Sequence, residues 1–125
     1  MKHLLDVNIL LACLIGTHPH HNQAKAWLSG KNIVLCPIIE LGFLRISSHK
    51  KAYALPMDGV RKSLQRFAVE RKVDRIPDDL PALESHARRS DQVTDHYLAD
   101  LAAKHGFKLA TLDEQLKHPS SELIV

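Results

Sequence analysis

The sequence predicts an α/β fold: a single domain over residues 1–125, with a short parallel β-sheet flanked by helices on both faces. Three observations carry this expectation. Short apolar runs of strand length alternate with segments of helical period along the whole chain, which is the order that βαβ units require. At 125 residues the chain matches one domain and is long enough to bury a substantial core. Hydrophobic residues make up 45% and charged residues 25%, a balance that excludes disordered, fibrous and coiled-coil classes. No apolar stretch approaches the ~18 residues of a membrane span. An acid at position 6 interrupts what would be the apolar part of a leader, so the sequence argues against a signal peptide and for a cytoplasmic protein.

The elements follow in order. Lys2–Val7 reads as a strand, and Asn8 opens a helix with Leu10, Leu11 and Leu14 on its inner face and Gly16 as its C′ stop. Thr17–His18–Pro19 starts a second helix, with Pro19 in its first turn and Ala24, Trp27 and Leu28 as its apolar stripe; Ser29 and Gly30 stop it. Asn32–Cys36 is a continuous apolar run of strand length, and Pro37 opens a third helix through Ser47. Asp58 is the expected N-cap of a basic fourth helix through Arg71, striped by Val60, Leu64, Phe67 and Ala68. Val73–Ile76 reads as a strand, Leu80–Arg88 as a helix, and Thr94–His105 as a helix closed by Gly106. Phe107–Leu112 is a strand, Asp113–Lys117 a turn of helix, and Glu122–Val125 a last strand. The two cysteines, Cys13 and Cys36, lie in apolar runs without CxxC spacing and read as buried reduced thiols.

The parallel arrangement sorts the acids. In such a sheet the C-terminal ends of the strands and the N-terminal ends of the following helices share one edge, where ligands bind. Asp6 and Asp113 end strands there, and Glu40 and Asp95 fall in first turns of helices, so all four can face one crevice. Taken singly, Glu40 and Asp95 read as acids that offset a helix dipole, while Asp113, at the end of an apolar run, is either a site residue or a cap for the turn behind it. Asp6, set between Leu5 and Val7, is an unlikely choice for structure alone. Clustered carboxylates raise one another's pKa unless a cation neutralises them, and an oxygen-only set suits Mg²⁺ or Mn²⁺. Such centres activate water and clamp phosphate.

The charge pattern adds a polyanion. Between Arg45 and Arg75 stand nine basic residues against three acids, a local +6 in a chain whose total is +3. Arg45, Lys62 and Arg66 are the candidate contacts to a nucleic acid, and with 5% aromatic residues any grip rests on charge more than on stacking. From the residues alone the pattern fits a nuclease, with the basic face holding a phosphate backbone and the metal cutting it. It also fits another metal-dependent phosphoesterase, a DNA nuclease, or a nucleic-acid or protein-binding module with a degenerate site.

Leu4-Leu5-Asp6-Val7-Asn8, Gly42-Phe43-Leu44-Arg45-Ile46, the segment from Thr94-Asp95-His96-Tyr97-Leu98 to Ala102, and Leu109-Ala110-Thr111-Leu112-Asp113 occur in this order. Together they resemble PIN-domain proteins, and among them the VapC-type toxins of bacterial toxin–antitoxin pairs. The resemblance implies a PIN-like nuclease domain and a Mg²⁺- or Mn²⁺-dependent endoribonuclease. It also implies a homodimer held inactive by a cognate antitoxin. Carried over by position, the acidic site falls on Asp6, Glu40, Asp95 and Asp113, with Asn8 and Thr111 as polar neighbours. Asp91, four residues before Asp95, is a further candidate if the helix extends back that far. The spacing of His18, His20 and His21 matches no zinc pattern, and Asp100 stands where the resemblance leads one to expect a small residue.

Overall fold

The computed structural model describes residues 1–124. Five strands form one sheet: β1 (Lys2–Leu5), β2 (Asn32–Leu35), β3 (Asp74–Arg75), β4 (Lys108–Thr111) and β5 (Ser121–Leu123). Every neighbouring pair is parallel, in the order β3-β2-β1-β4-β5. Five helices connect them: α1 (Val7–Leu14), α2 (His21–Leu28), α3 (Pro37–Ser48), α4 (Met57–Glu70) and α5 (Val93–Lys104). The chain steps outward from β1 to β3 and then returns to β4 on the other side of β1; with the right-handed crossovers that parallel strands favour, this reversal puts helices on opposite faces of the sheet. The strand order reverses between β1 and β4, which is where a ligand crevice belongs. Leu4, Leu5, Val34, Leu35, Leu109 and Ala110 are fully buried, as central parallel strands covered on both faces must be. Both cysteines are buried and unbridged.

Several boundaries shift for local reasons. The first strand stops at Leu5, because Asp6 turns to cap α1 and its carboxylate accepts from the Val7 amide at 2.6 Å. Gly16 follows the end of α1 but does not adopt the left-handed conformation that Gly30 and Gly106 take after α2 and α5. Pro19 lies before α2, which begins at His21. Helix α4 starts at Met57 behind Pro56, so Asp58 sits inside the first turn, 3.6 Å from Arg61, and does not cap it. The helix expected over residues 80–88 is only a short 3₁₀ turn at Ala82–Glu84, bounded by Pro81. Leu83 there is fully exposed, so the segment has no apolar stripe to bury and packing cannot stabilise a longer helix. Asp113–Lys117 makes one hydrogen-bonded turn, from the Leu116 amide to the Asp113 carbonyl, and no helix. The last strand ends at Leu123; of the expected Glu122–Val125 span, Val125 lies outside the described residues.

Trp27 is half-buried against the core. Its indole stands edge-on to the buried His3 ring, 5.0 Å between centroids, and both side chains reach Glu122 of β5. This network ties α2 to the sheet.

Candidate active site

The site is assembled around Asp6, which is 1% exposed. Its backbone amide continues the β1–β4 pairing by donating to the Ala110 carbonyl at 3.0 Å, so the sheet itself sets the position of the carboxylate. One carboxylate oxygen accepts from the Val7 amide, and the other accepts from the Thr111 hydroxyl at 3.1 Å. Thr111, also 1% exposed, accepts in turn from the Asp113 amide at 3.0 Å. One buried hydroxyl therefore joins the end of β1 to the turn after β4. The Asp113 carboxylate accepts from the Gln115 amide at 2.8 Å, which holds the turn. Asp95 arrives from a third direction, half-buried in the first turn of α5.

The electrostatics follow from this packing. Burial pushes the Asp6 carboxyl up to about 7; the charge of Asp95 adds to the shift, the Thr111 and Val7 hydrogen bonds oppose it, and Asp113 adds a smaller push. Asp95 is also raised, by burial first and then by the charge of Asp113, with His96 opposing. Asp6, Asp95 and Asp113 thus form one coupled acidic group.

Beside it lies a cavity of about 510 Å³, lined by Asp6 and Asp95 together with Val7, Ile38, Thr94 and Leu98. Arg45 of α3 stands on the same wall, so one candidate RNA contact is next to the acids. The approach of α3 to α1 here is close: a Cβ on Gly42 would meet the Val7 side chain at 3.1 Å.

The other candidates are placed differently. Glu40 lies in the first turn of α3, but its carboxylate is engaged by the Arg75 guanidinium at 3.3 Å, because β3 runs alongside β2 and carries Arg75 to it. Glu40 is not on the cavity wall that holds Asp6 and Asp95. Asn8 is exposed in the first turn of α1. Asp91 lies in a 3₁₀ turn, Ser90–Gln92, just ahead of α5, and is gripped by both arms of the Arg89 guanidinium. Lys62 and Arg66 lie along α4 and line grooves that include no residue of the acidic group. Among the described residues no three His, Cys, Asp or Glu groups are placed to hold one ion together, the three histidines after α1 included. Sequence reasoning passed over Arg89, whose charge also reaches Asp113. Nothing in its surroundings in the chain signals that placement, which depends on how the segment between β3 and α5 folds back.

Residues 3–121 match the family model described as the PIN domain. The chain belongs to the PIN-domain family. This PIN domain is 32% identical to Ribonuclease VapC39 of Mycobacterium tuberculosis (strain CDC 1551 / Oshkosh), over 100% of this chain and 98% of that protein. It is 32% identical to Ribonuclease VapC38 of Mycobacterium tuberculosis (strain ATCC 25618 / H37Rv), over 88% of this chain and 84% of that protein. Among solved structures, VapBC2 from Rickettsia felis bound to a promoter DNA fragment aligns with a TM-score of 0.63 at 18% identity, over 98% of this chain and 97% of that one. FitAB bound to the IR36 DNA fragment aligns with a TM-score of 0.59 at 22% identity, over 91% and 87%. Both likenesses are of fold, and the single PIN-like α/β domain read from the sequence is the architecture found.

Proposed function

We infer that this PIN domain is a VapC-type endoribonuclease that hydrolyses RNA phosphodiester bonds with Mg²⁺ or Mn²⁺. The observation that carries the reading is Asp6: a carboxylate removed from water, given two hydrogen bonds by the fold, and set against two further carboxylates at the switch point of a parallel sheet. A fold that only needed a cap for α1 has no reason to bury that charge beside others. The donor set is all oxygen, which suits a hard cation. Mg²⁺ in particular is held by one or two carboxylates with waters and substrate phosphates completing its shell, so it does not need three protein groups closed on one point.

Asp6 and Asp95 are the residues that would hold the ion, with Asp113 contributing charge from the β4 side. Glu40 belongs to the set only if it leaves Arg75. When bound, the ion supplies water activation and charge neutralisation at phosphate. The chain's own residues do the rest. Thr111 orients the Asp6 carboxylate, and Val7 fixes its other oxygen. Arg45 offers a cation to a phosphate entering the cavity. Asn8, exposed two residues beyond Asp6, offers a polar side chain in the first turn of α1, and Asp91 holds Arg89 close to Asp113. Lys62 and Arg66 contact RNA away from the cut.

The full-length likeness to proteins named Ribonuclease VapC supports RNA as the substrate. The fold likeness to a VapBC2 assembly on promoter DNA supports a cognate antitoxin as partner, and a homodimer is part of the same reading. Among the described residues no helix is long and apolar enough to cross a membrane.

The test is cleavage of RNA by purified protein with Mg²⁺ or Mn²⁺ and with chelator, alongside Asp95→Asn. Chelation should abolish cutting, and the substitution should lower the rate at least ~100-fold with the fold intact by circular dichroism. Metal-independent cutting, or an Asp95→Asn rate within a few-fold of wild type, overturns the site.

A further inference from the structure

The basic residues of the chain's middle do not all gather at the acidic edge. Arg66 of α4 and Arg71, which caps that helix, line a cleft together with Lys25 of α2. Its floor is Cys13 and Leu14, the last turn of α1, and its volume is about 240 Å³. Arg71 is held at the rim by donating to the Leu28 carbonyl at 3.3 Å. Among the described residues none of these three cations takes part in an ion pair, although five acids elsewhere on the surface pair with a lysine or arginine. Glu70, the one carboxylate on the lining, stays outside ion-pair distance. A shallower groove shares Arg66 with the cleft and adds Lys62, so the positive charge continues along α4.

Three cations converge on this concave site against a single carboxylate, Glu70, which pairs with none of them, so the cleft keeps an excess of positive charge that an anion relieves. The volume is below the ~300–1,000 Å³ of pockets that enclose a drug-sized ligand, so the cleft admits a phosphate but leaves a base and sugar outside. That is how a nucleic-acid backbone is held, and not how a free nucleotide is. The location decides the role. Asp6 caps the start of α1 and the cleft lies at its end, about 12 Å away along an eight-residue helix. A phosphate in the cleft is therefore not the one being cut.

We propose that the cleft of Lys25, Arg66 and Arg71 is a second phosphate-binding station, which holds the RNA substrate several nucleotides from the scissile bond. The identity of the polyanion rests on the ribonuclease reading. The station itself rests on the unpaired cations. It makes the enzyme select RNA long enough to reach both ends of α1, without reading its bases.

The experiment measures binding of a labelled single-stranded RNA of about 20 nucleotides by fluorescence anisotropy in chelator across a salt series. It compares wild type, Lys25→Gln, the double variant Lys25→Gln/Arg71→Gln, and Lys104→Gln as a cation outside the cleft. The double variant should bind roughly tenfold more weakly at low salt, with a log–log salt slope smaller by about 0.7 for each phosphate it no longer neutralises; Lys104→Gln should match wild type. Equal affinity and slope in wild type and double variant overturn the proposal. If the double variant fails to fold, because Arg71 holds Leu28, Lys25→Gln alone decides: its slope should be smaller by about 0.7, and an unchanged slope overturns the station. A further arm adds inorganic phosphate to thermal melts. Phosphate protection that depends on the cleft, without any change in RNA binding, marks a small-anion site and overturns the assignment to RNA. Cleft-dependent RNA binding by a protein that cuts no RNA with metal present supports the station and removes the ribonuclease reading instead.

Discussion

Asp6 is where the cost of function is concentrated. Its ordinary pKa of 3.8 is pushed up to about 7 in the fold, so the folded state holds this proton more tightly than the unfolded chain does. A carboxyl raised in this way favours the folded state at low pH. The contribution of Asp6 to the stability of the metal-free protein is therefore greatest below about pH 4, falls as pH rises toward 7, and is gone above it. The span is on the order of 4 kcal/mol at 1.36 kcal/mol per pH unit. Denaturant titrations in chelator at a series of pH values measure it, and Asp6→Asn should flatten the slope between pH 4 and 7. A slope unchanged by that substitution would mean that Asp6 is not the group responsible. Thr111 tests the other half of the arrangement. Thr111→Val removes the donor to Asp6 and the acceptor for the Asp113 amide, and should cost about 1–3 kcal/mol in urea unfolding, while Thr111→Ser should recover most of it. Sequence alone picks out both residues, Asp6 for its charge in an apolar run and Thr111 through the family resemblance. The hydrogen bond between them crosses 105 positions of chain and is not legible there.

Among the elements, helix ends show what local sequence controls. Gly106 follows α5 with φ +76°, a conformation that costs any side chain, so Gly106→Ala should lower stability by about 1 kcal/mol. Lys72 follows α4 with φ +51° and carries that cost already. Lys72→Gly should therefore stabilise the protein, by about 0.5 kcal/mol after the extra entropy of a glycine in the unfolded chain is counted. The two substitutions should shift denaturation midpoints in opposite directions, and a destabilised Lys72→Gly protein would contradict the account. Strands β1, β2 and β4 and helices α3 and α5 are legible from apolar period, proline and glycine, because each buries a continuous stripe. Residues 80–88 are not, because helical propensity without a face to bury does not hold a helix in a folded domain.

Over the molecule as a whole, the acidic group is a load that a cation relieves. Mn²⁺ or Mg²⁺ should raise the melting temperature by mass action, by roughly 2.7 kcal/mol of stability at a hundredfold excess over its dissociation constant. Asp113→Asn separates charge from geometry, since an asparagine oxygen can still accept from the Gln115 amide. With the turn kept and the charge removed, the metal-free protein should become more stable and the metal-induced gain should shrink. If melts instead show a less stable metal-free protein and an undiminished metal response, Asp113 serves the turn alone.

What the sequence by itself determined is the alternation of strands and helices, the parallel sheet that follows from it, and the family, through four short motifs in order. Those depend on local period and on residue type, which a chain carries at every position. It also put Asp6, Glu40, Asp95 and Asp113 on one edge, because a parallel sheet puts all strand ends of one kind together. Which charges meet was decided only by the tertiary structure. Arg75 reaches Glu40 because β3 pairs with β2, Arg89 binds Asp91 and brings its charge near Asp113, and Arg66 of α4 lines a cleft with the last turn of α1. A charge acts across a few ångströms whatever the separation in sequence, so its partners are a property of the packed chain and not of its order.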